Sequence, residues 1–463
     1  MINLKLSEIA EAVDGALHGV DAEVTGSVET DSRLISQGGL FIAKPGEITD
    51  GHLYVDLAKS AGAVGAIVEH QVESSISQIV VKDAVAALGK LATYVIAKIR
   101  AKSDLKVIGV TGSNGKTSTK NMLREILSRV GSTIAPIESY NNEVGAPISM
   151  LKADYETKFL VVELGAGGKG SIAYLANVCN PDIGVVLKVG LAHVGEFGGI
   201  EHTFEIKSEL ARALAPTATL ILNSDDGLVA SMSQLSQAKI GWFGTTSDCE
   251  VWASDIAVTL TGTKFVLNQG SVSRDVTLNI LGEHQVMNAL AAIRVAVALN
   301  LDIPQSIAAL EAMPLAERWR MQLLAGPHGS HVINDAYNAS PDSTKAALQT
   351  LATLGRQGHR TIAVLGEMAE LGAQAAEQHD AIGRIAVRLN IDLVVVVGER
   401  AKLIHMGASQ EGSWDGESRF FASIDEALEH VRGLLGSGDI VLVKSSKSAE
   451  LRHLGDALAE VNG

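Results

Sequence analysis

The sequence is poor in the features that mark several large classes of protein. It has two cysteines in 463 residues, Cys179 and Cys249, far apart and outside any CxxC or Cys/His spacing. That removes the basis for a disulfide framework or a zinc site and leaves both as packing residues. Positive charge is short as well: 38 Lys and Arg stand against 53 Asp and Glu, a formal net charge of −15. A polyphosphate-binding surface needs clustered cations to release counterions, so no nucleic-acid partner is expected, and a small anionic substrate would have to find local positive charge. No run approaches the roughly 20 apolar residues of a membrane span, and the opening MINLKLSEIAEAVDGALHGV lacks a basic stretch followed by an apolar one. No membrane insertion and a cytoplasmic location are expected. Internal repeats and low-complexity tracts are also missing.

What is present is a chain with 46% hydrophobic and 20% charged residues, long enough for about three domains. Short β-branched runs alternate with amphipathic helical patterns, which predicts an α/β fold with largely parallel sheets. Residues 1–82 carry GLFIAKPG, GAVGAIVE and ISQIVVKD and form a small α/β module. A helical stretch, AVAALGKLATYVIAKIRAK, leads into a second domain over residues 83–314. There a strand (KVIGV), a glycine-containing loop (TGSNGKT) and a helix (TKNMLREILSRV) are followed by FLVVELG, DIGVVLKVG and ATLILNSDD, a mononucleotide-binding parallel sheet. Residues 245–280 alternate apolar and polar types in the manner of antiparallel hairpins that could flank that sheet. After MPLAERWRMQ the pattern restarts with HVINDAY, TIAVLGEM, DLVVVVGE and DIVLVKSS, predicting a doubly wound, Rossmann-like third domain over 315–463.

The loop TGSNGKT is the strongest local signal. Gly112 and Gly115 let the backbone curl so that several N–H groups face one anion at a helix start. Lys116 supplies a flexible charge for the β- and γ-phosphates, and Thr117 can place its hydroxyl on a magnesium ion. The usual G-x-x-x-x-G-K-T spacing would require glycine at Val110. The plainer reading, a glycine-rich turn with a surface lysine, is disfavoured because strand, loop, Gly-Lys-Thr and helix follow in register. The expected nucleotide contacts are Gly112, Ser113, Asn114, Gly115, Lys116, Thr117 and Ser118.

This shortened loop resembles that of the Mur ligase and folylpolyglutamate synthetase superfamily. FLVVELGAGGKGSIAYL, VGLAHVGEFGGIEHTFEIKSEL, LGEHQVMNALAA, INDAYNASPDST and VLGEMAELG resemble motifs of the family in the same order, so the resemblance spans essentially the whole chain. It implies an ATP-dependent carboxylate–amine ligase that passes through an acyl phosphate. It also implies that Glu163 holds magnesium beside Thr117, that His193 contacts a second magnesium, and that Lys207 is carbamylated and so turned from a cation into a metal-binding carboxylate. Read alone, His193 is a loop histidine and Lys207 a solvated helix charge, while a turn-capping carboxylate is the lesser alternative for Glu163.

By the same resemblance, Asn288 contacts adenine, Arg320 reaches the γ-phosphate with Arg318 as competitor, and Asp335 holds the ribose. Tyr337 and Asn338 stand near substrate or nucleotide, with Glu367 and Lys444 as weaker candidates for the amine site. Ser340 stands where the family's YNANP has asparagine, Lys188 where asparagine commonly precedes LAH, and Gln285 where asparagine is usual.

The first module separates the branches. TDSRLISQGGLFIAKPGEITDGH resembles the UDP-sugar domain of ligases acting on muramoyl peptides, with Ser32 and Arg33 as contacts to UDP, and Asn141 and Asn142 match a substrate loop. Alone, a TDSR turn is an ordinary loop. With no DNP present and with YNNEVGAP, YNASP and LGEMAELG in place, the resemblance favours the branch whose partners are a UDP-MurNAc-tripeptide and D-alanyl-D-alanine, acting as a monomer with ATP and Mg2+. Two alternatives stay open: the diamino-acid-adding branch, and a non-catalytic, nucleotide-dependent binder of UDP-muramoyl peptide. The third residue of the peptide is not readable.

Overall fold

Val107, Ile108 and Val110 belong to a run too short for a helix and apolar on both faces, the pattern of a strand covered by helices from both sides. In the computed structural model this run is a central strand of the largest sheet. Residues 1–46, 49–136, 140–191, 198–313, 318–412 and 414–459 are described; His193, the expected junction at 314/315 and residues 460–463 lie outside them. The described strands form a five-, a nine- and a six-stranded sheet, with a small ribbon pairing Leu4–Lys5 with Glu23–Val24.

Strands β1 (Ala16–His18), β2 (Val28–Glu29), β3 (Gly39–Ile42), β4 (Ala63–Val68) and β5 (Ser77–Val80) run in the order β1-β5-β4-β3-β2, parallel except for the β1/β5 pair. Helix α1 (Ala84–Arg100) follows, started by Asp83, whose side chain accepts the Ala86 N–H. Its buried residues Leu88, Leu91, Val95 and Ile99 recur at helical spacing. They belong to one core that continues from Leu6, Ile9 and Ile67 to Val107, Leu160 and Val186, so α1 joins the first sheet to the next. Truncating one such leucine to alanine costs about 2–5 kcal/mol.

The nine-stranded sheet contains β6 (Lys106–Thr111), β7 (Thr133–Ile134), β8 (Phe159–Glu163), β9 (Ile183–Val186), β10 (Thr219–Asn223), β11 (Lys239–Gly244), β12 (Val251–Thr259), β13 (Gly262–Gln269) and β14 (Val272–Leu278), in the order β14-β13-β12-β11-β10-β9-β6-β8-β7. Helices α2 (Lys116–Ser128), α3 (Ile200–Ala213) and α4 (Glu283–Ala298) belong to the same region. The expected hairpins are β12 to β14, and they extend the parallel sheet at its edge. Strand β6 lies between β8 and β9, where the chain changes direction across the sheet and ligands of open α/β sheets bind beyond the carboxyl ends.

The six-stranded sheet contains β15 (Gln322–Ala325), β16 (His331–Asn334), β17 (Thr361–Leu365), β18 (Leu393–Val397), β19 (Glu417–Phe421) and β20 (Ile440–Lys444), in the order β15-β16-β20-β17-β18-β19, with β15 antiparallel. Helix α5 (Pro341–Gly355) starts with a capping box: Ser340 Oγ accepts the Ser343 N–H and Ser343 Oγ accepts the Ser340 N–H. Among the described residues no helix is long and apolar enough to cross a membrane.

Candidate active site

Strand β6 ends in the turn that the glycines make possible. Gly112 has φ +151°, and a Cβ there would lie 3.0 Å from Leu187 Cβ. Gly115 has φ +86°, and a Cβ would lie 2.3 Å from Asn288 Oδ1, so both backbone conformation and space demand glycine. The Ser113 N–H donates to Lys188 O at 2.8 Å, tying the loop to the strand-β9 end. The loop is therefore held without the usual glycine at position 110.

Around this turn, side chains from distant elements converge on one cavity of about 310 Å³ that includes residues 113–118, Asn141, Glu163, Asn288, Arg320, Asp335, Tyr337 and Asn338 in its walls. Lys116 Nζ donates to Gly112 O at 2.8 Å. Thr117 donates its hydroxyl to Glu163 Oε2 at 3.1 Å, and Asn141 Nδ2 donates to Glu163 Oε1 at 2.9 Å. Glu163, at the end of β8, is 1% exposed. Arg320 Nη2 donates to Thr117 Oγ1 at 3.3 Å, and its guanidinium lies 4.3 Å from the Tyr337 ring centroid. Arg318 instead pairs with Asp456 at 2.8 Å, so of the two competing arginines it is Arg320 that enters the cavity.

Lys207 on α3 is buried and is not among the cavity's lining residues. Desolvation, with the nearby Lys116 charge adding to it, pushes its pKa well below the usual lysine value and favours the neutral amine. Lys116 is also shifted down by desolvation, opposed by Glu163. Burial brings His284 to about 4, so its imidazole is neutral near pH 7. Among the described residues no three His, Cys, Asp or Glu side chains form a metal cluster; the adjacent hard-oxygen donors are Thr117 and Glu163.

On the third-domain wall, Asp335 Oδ1 accepts the Met321 N–H at 2.9 Å and Oδ2 accepts from Lys444 Nζ at 2.6 Å. Lys444 also donates to Asn338 O at 3.1 Å, so this buried ammonium shapes the INDAYN turn. Glu367 is outside the cavity walls, 3.4 Å from Arg400. Asn142 uses its Oδ1 to accept the Gly145 N–H at 2.8 Å and caps a helix, outside the cavity walls. A second pocket of about 630 Å³ shares Asn114, Gly115, Lys188, His284 and Asn288 with the first and is lined further by Leu187, Phe243 and Met287.

Ser32 and Arg33 lie elsewhere, in a cavity of about 770 Å³ on the first module with Lys44, Thr49 and Tyr54. The Arg33 side chain is 86% exposed and pairs with Asp31 at 2.6 Å. That hydrogen-bonded pairing holds the Asp31 carboxyl at about 2. Cavity residues that sequence reading did not single out include Asp342, Ser343 and Ala346, all in the first turns of α5. An acid there is ordinary helix chemistry and gives no local signal.

Models of the "Mur ligase family, catalytic domain", the "Mur ligase middle domain" and the "Mur ligase, glutamate ligase domain" match residues 25–99, 110–296 and 319–447. The chain is 40% identical to the UDP-N-acetylmuramoyl-tripeptide--D-alanyl-D-alanine ligase of Mycobacterium tuberculosis (strain ATCC 25618 / H37Rv), covering 99% of this chain and 98% of that one. A crystal structure of MurF from Acinetobacter baumannii superposes with a TM-score of 0.90 at 31% identity over 99% of each chain. The MurF ligase of Thermotoga maritima in complex with ADP superposes with a TM-score of 0.82 at 26% identity, over 95% of this chain and 98% of that one.

Proposed function

The chain belongs to the Mur ligase family, and on that premise we propose the route by which its residues join a carboxylate to an amine. It is an ATP-dependent ligase that adds D-alanyl-D-alanine to a UDP-N-acetylmuramoyl tripeptide in peptidoglycan precursor synthesis, releasing ADP and phosphate. A carboxylate resists an amine because its oxygen leaves poorly. In the proposed route one carboxylate oxygen attacks the γ-phosphorus of ATP in line, and the bond to the bridging oxygen of ADP breaks. The amine then adds to the carbonyl carbon of the acyl phosphate, loses a proton, and phosphate departs with the electron pair of the broken C–O bond.

Both reactants of the first step are anions, so the protein's task is to offset their repulsion while aligning them. Lys116, the loop N–H groups and Arg320 supply the positive charge. The observation that carries this reading is the 3.3 Å contact of Arg320, from the third-domain side, with Thr117 of the phosphate loop. One cavity thereby combines the two halves of a phosphoryl-transfer site.

Thr117 and Glu163 fit magnesium, because both are oxygen donors and their mutual hydrogen bond can open to admit a cation. Magnesium bound there supplies charge neutralisation at the phosphates. Lys207 fits carbamylation, since its burial favours the neutral amine that carbon dioxide attacks, and the adduct would supply the carboxylate missing from the donor set. His193, the second-magnesium candidate, lies outside the described residues. The pocket beside Asn288 suits adenine and Asp335 the ribose hydroxyls. Ser32 and Arg33 receive the UDP end, with Asn141, Tyr337 and Asn338 toward the reacting substrates, while Asn142, whose side chain is engaged by the Gly145 N–H, serves the shape of that loop. We place the reaction in the cytoplasm, where ATP is supplied.

Phosphate release with a panel of amines tests this reading. Release that requires UDP-MurNAc-tripeptide together with D-alanyl-D-alanine is expected. Release driven by a free diamino acid would favour the diamino-acid-adding alternative, and nucleotide binding without product would favour the non-catalytic one.

A further inference from the structure

Two residues that depart from the family's motifs, Lys188 and Ser340, lie on opposite sides of one contact between the nine-stranded sheet and helix α5. Ser340 Oγ donates to Asn114 Oδ1 at 3.2 Å, reaching from the start of α5 to the phosphate loop. Asp342, in the first turn of α5, accepts the Leu191 N–H through Oδ2 at 2.8 Å. Its Oδ1 lies 4.0 Å from Lys188 Nζ. Lys188 is itself tied to the loop, since its carbonyl accepts the Ser113 N–H. Gly190 makes the approach possible, because a Cβ there would lie 2.2 Å from Asp342 Oδ2.

We infer that Lys188 and Asp342 are positioning residues that latch the third domain onto the phosphate-loop platform and so set how readily Arg320 and Asp335 reach the nucleotide. This rests on the ligase reading for its purpose, but the contact itself does not depend on turnover. A carboxylate accepting a backbone N–H is a charge-assisted bond and carries most of the latch. The Lys188 ammonium, with its side chain 48% exposed, adds a smaller attraction that salt screens. Lysine in place of the more common asparagine thereby gives this chain an ionic component of closure.

The test measures binding of a nonhydrolysable ATP analogue by calorimetry, with the closed fraction followed by small-angle scattering, so a failure of ligation would leave it interpretable. Asp342→Asn should weaken analogue binding about tenfold. Gly190→Ala, at a residue that does not itself line the cavity but whose Cβ would displace the Asp342 carboxylate, should do the same. Lys188→Asn should weaken it about threefold at low salt and hardly at all in high salt, and Lys188→Arg should restore it. The double variant Lys188→Asn/Asp342→Asn should be no weaker than Asp342→Asn, because the lysine then has no partner. Thermal melting identifies any variant that fails to fold, in which case the Lys188 pair and its salt dependence decide. Independent effects that multiply in the double variant, or unchanged binding and closure in folded variants, would overturn the latch.

Discussion

The two ends of the proposed substrate path are built differently. At the junction cavity the polar groups already hold one another: Glu163 is fixed by Thr117 and Asn141, and Asp335 by Met321 and Lys444. In the first module's cavity, Arg33 is 86% exposed and pairs with an aspartate two residues away. The contrast separates two tasks. Groups facing a transferring phosphoryl must be in place before the reaction, since reorganising them would raise the barrier. A group that only grips the remote end of a substrate can order itself on binding.

Substitutions can break that contrast. The largest effect is expected for Lys116→Ala, which removes a preplaced cation and should lower kcat/KM for ATP by about a thousandfold; steady-state phosphate release checks it, and intact ligation would refute the phosphate-loop role. Next comes pH. His284 has a folded pKa of about 4 against an ordinary 6.5, so the unfolded chain binds the proton first. Stability then falls as pH drops from 6.5 toward 4, by roughly 3 kcal/mol, and His284→Gln should remove that part of the pH dependence of melting. The Asp31 carboxyl, held at about 2 against an ordinary 3.8, contributes fully above that ordinary value and loses its contribution as pH falls toward 2. The two cavities therefore titrate in separate windows.

Glu163→Gln should lower kcat by about a hundredfold and raise the magnesium needed for half-maximal rate, read from a metal titration. The smallest effect belongs to the open cavity. Arg33→Ala should raise KM for the UDP-linked substrate about tenfold and leave kcat within about twofold. A fall in kcat instead would mean that this end, too, is preorganised for the chemistry.

Much of the junction was legible in the sequence because its centre is local. Strand, turn, glycine-lysine-threonine and helix lie within about twenty residues, and each glycine's role follows from backbone geometry. The choice between Arg318 and Arg320 was not local: Arg320 meets Thr117 across 203 positions of sequence, and both arginines sit in the same few residues. Asp342 was invisible for a related reason, since its partner is the backbone N–H of Leu191, in the segment that follows β9 and 151 positions away. Asn142 shows the opposite limit, because a residue in a matching motif also serves as an ordinary helix cap. In the fold, alternation announced β12 to β14 and their place beside the main sheet, which they join through the parallel β11/β12 pair. Strand β19 was missed because ESRFF is partly exposed and lacks the continuous apolar run of the equally long β17, β18 and β20.

The central claim is that the tripeptide's carboxylate oxygen is phosphorylated before the amine arrives. Its most direct test is to label both oxygens of that carboxylate with oxygen-18 and analyse the phosphate released with D-alanyl-D-alanine by mass spectrometry. Transfer of one labelled oxygen into phosphate for each amide formed is the predicted result. Phosphate without label, at full amide yield, would contradict the acyl-phosphate route and the role assigned to the junction cavity.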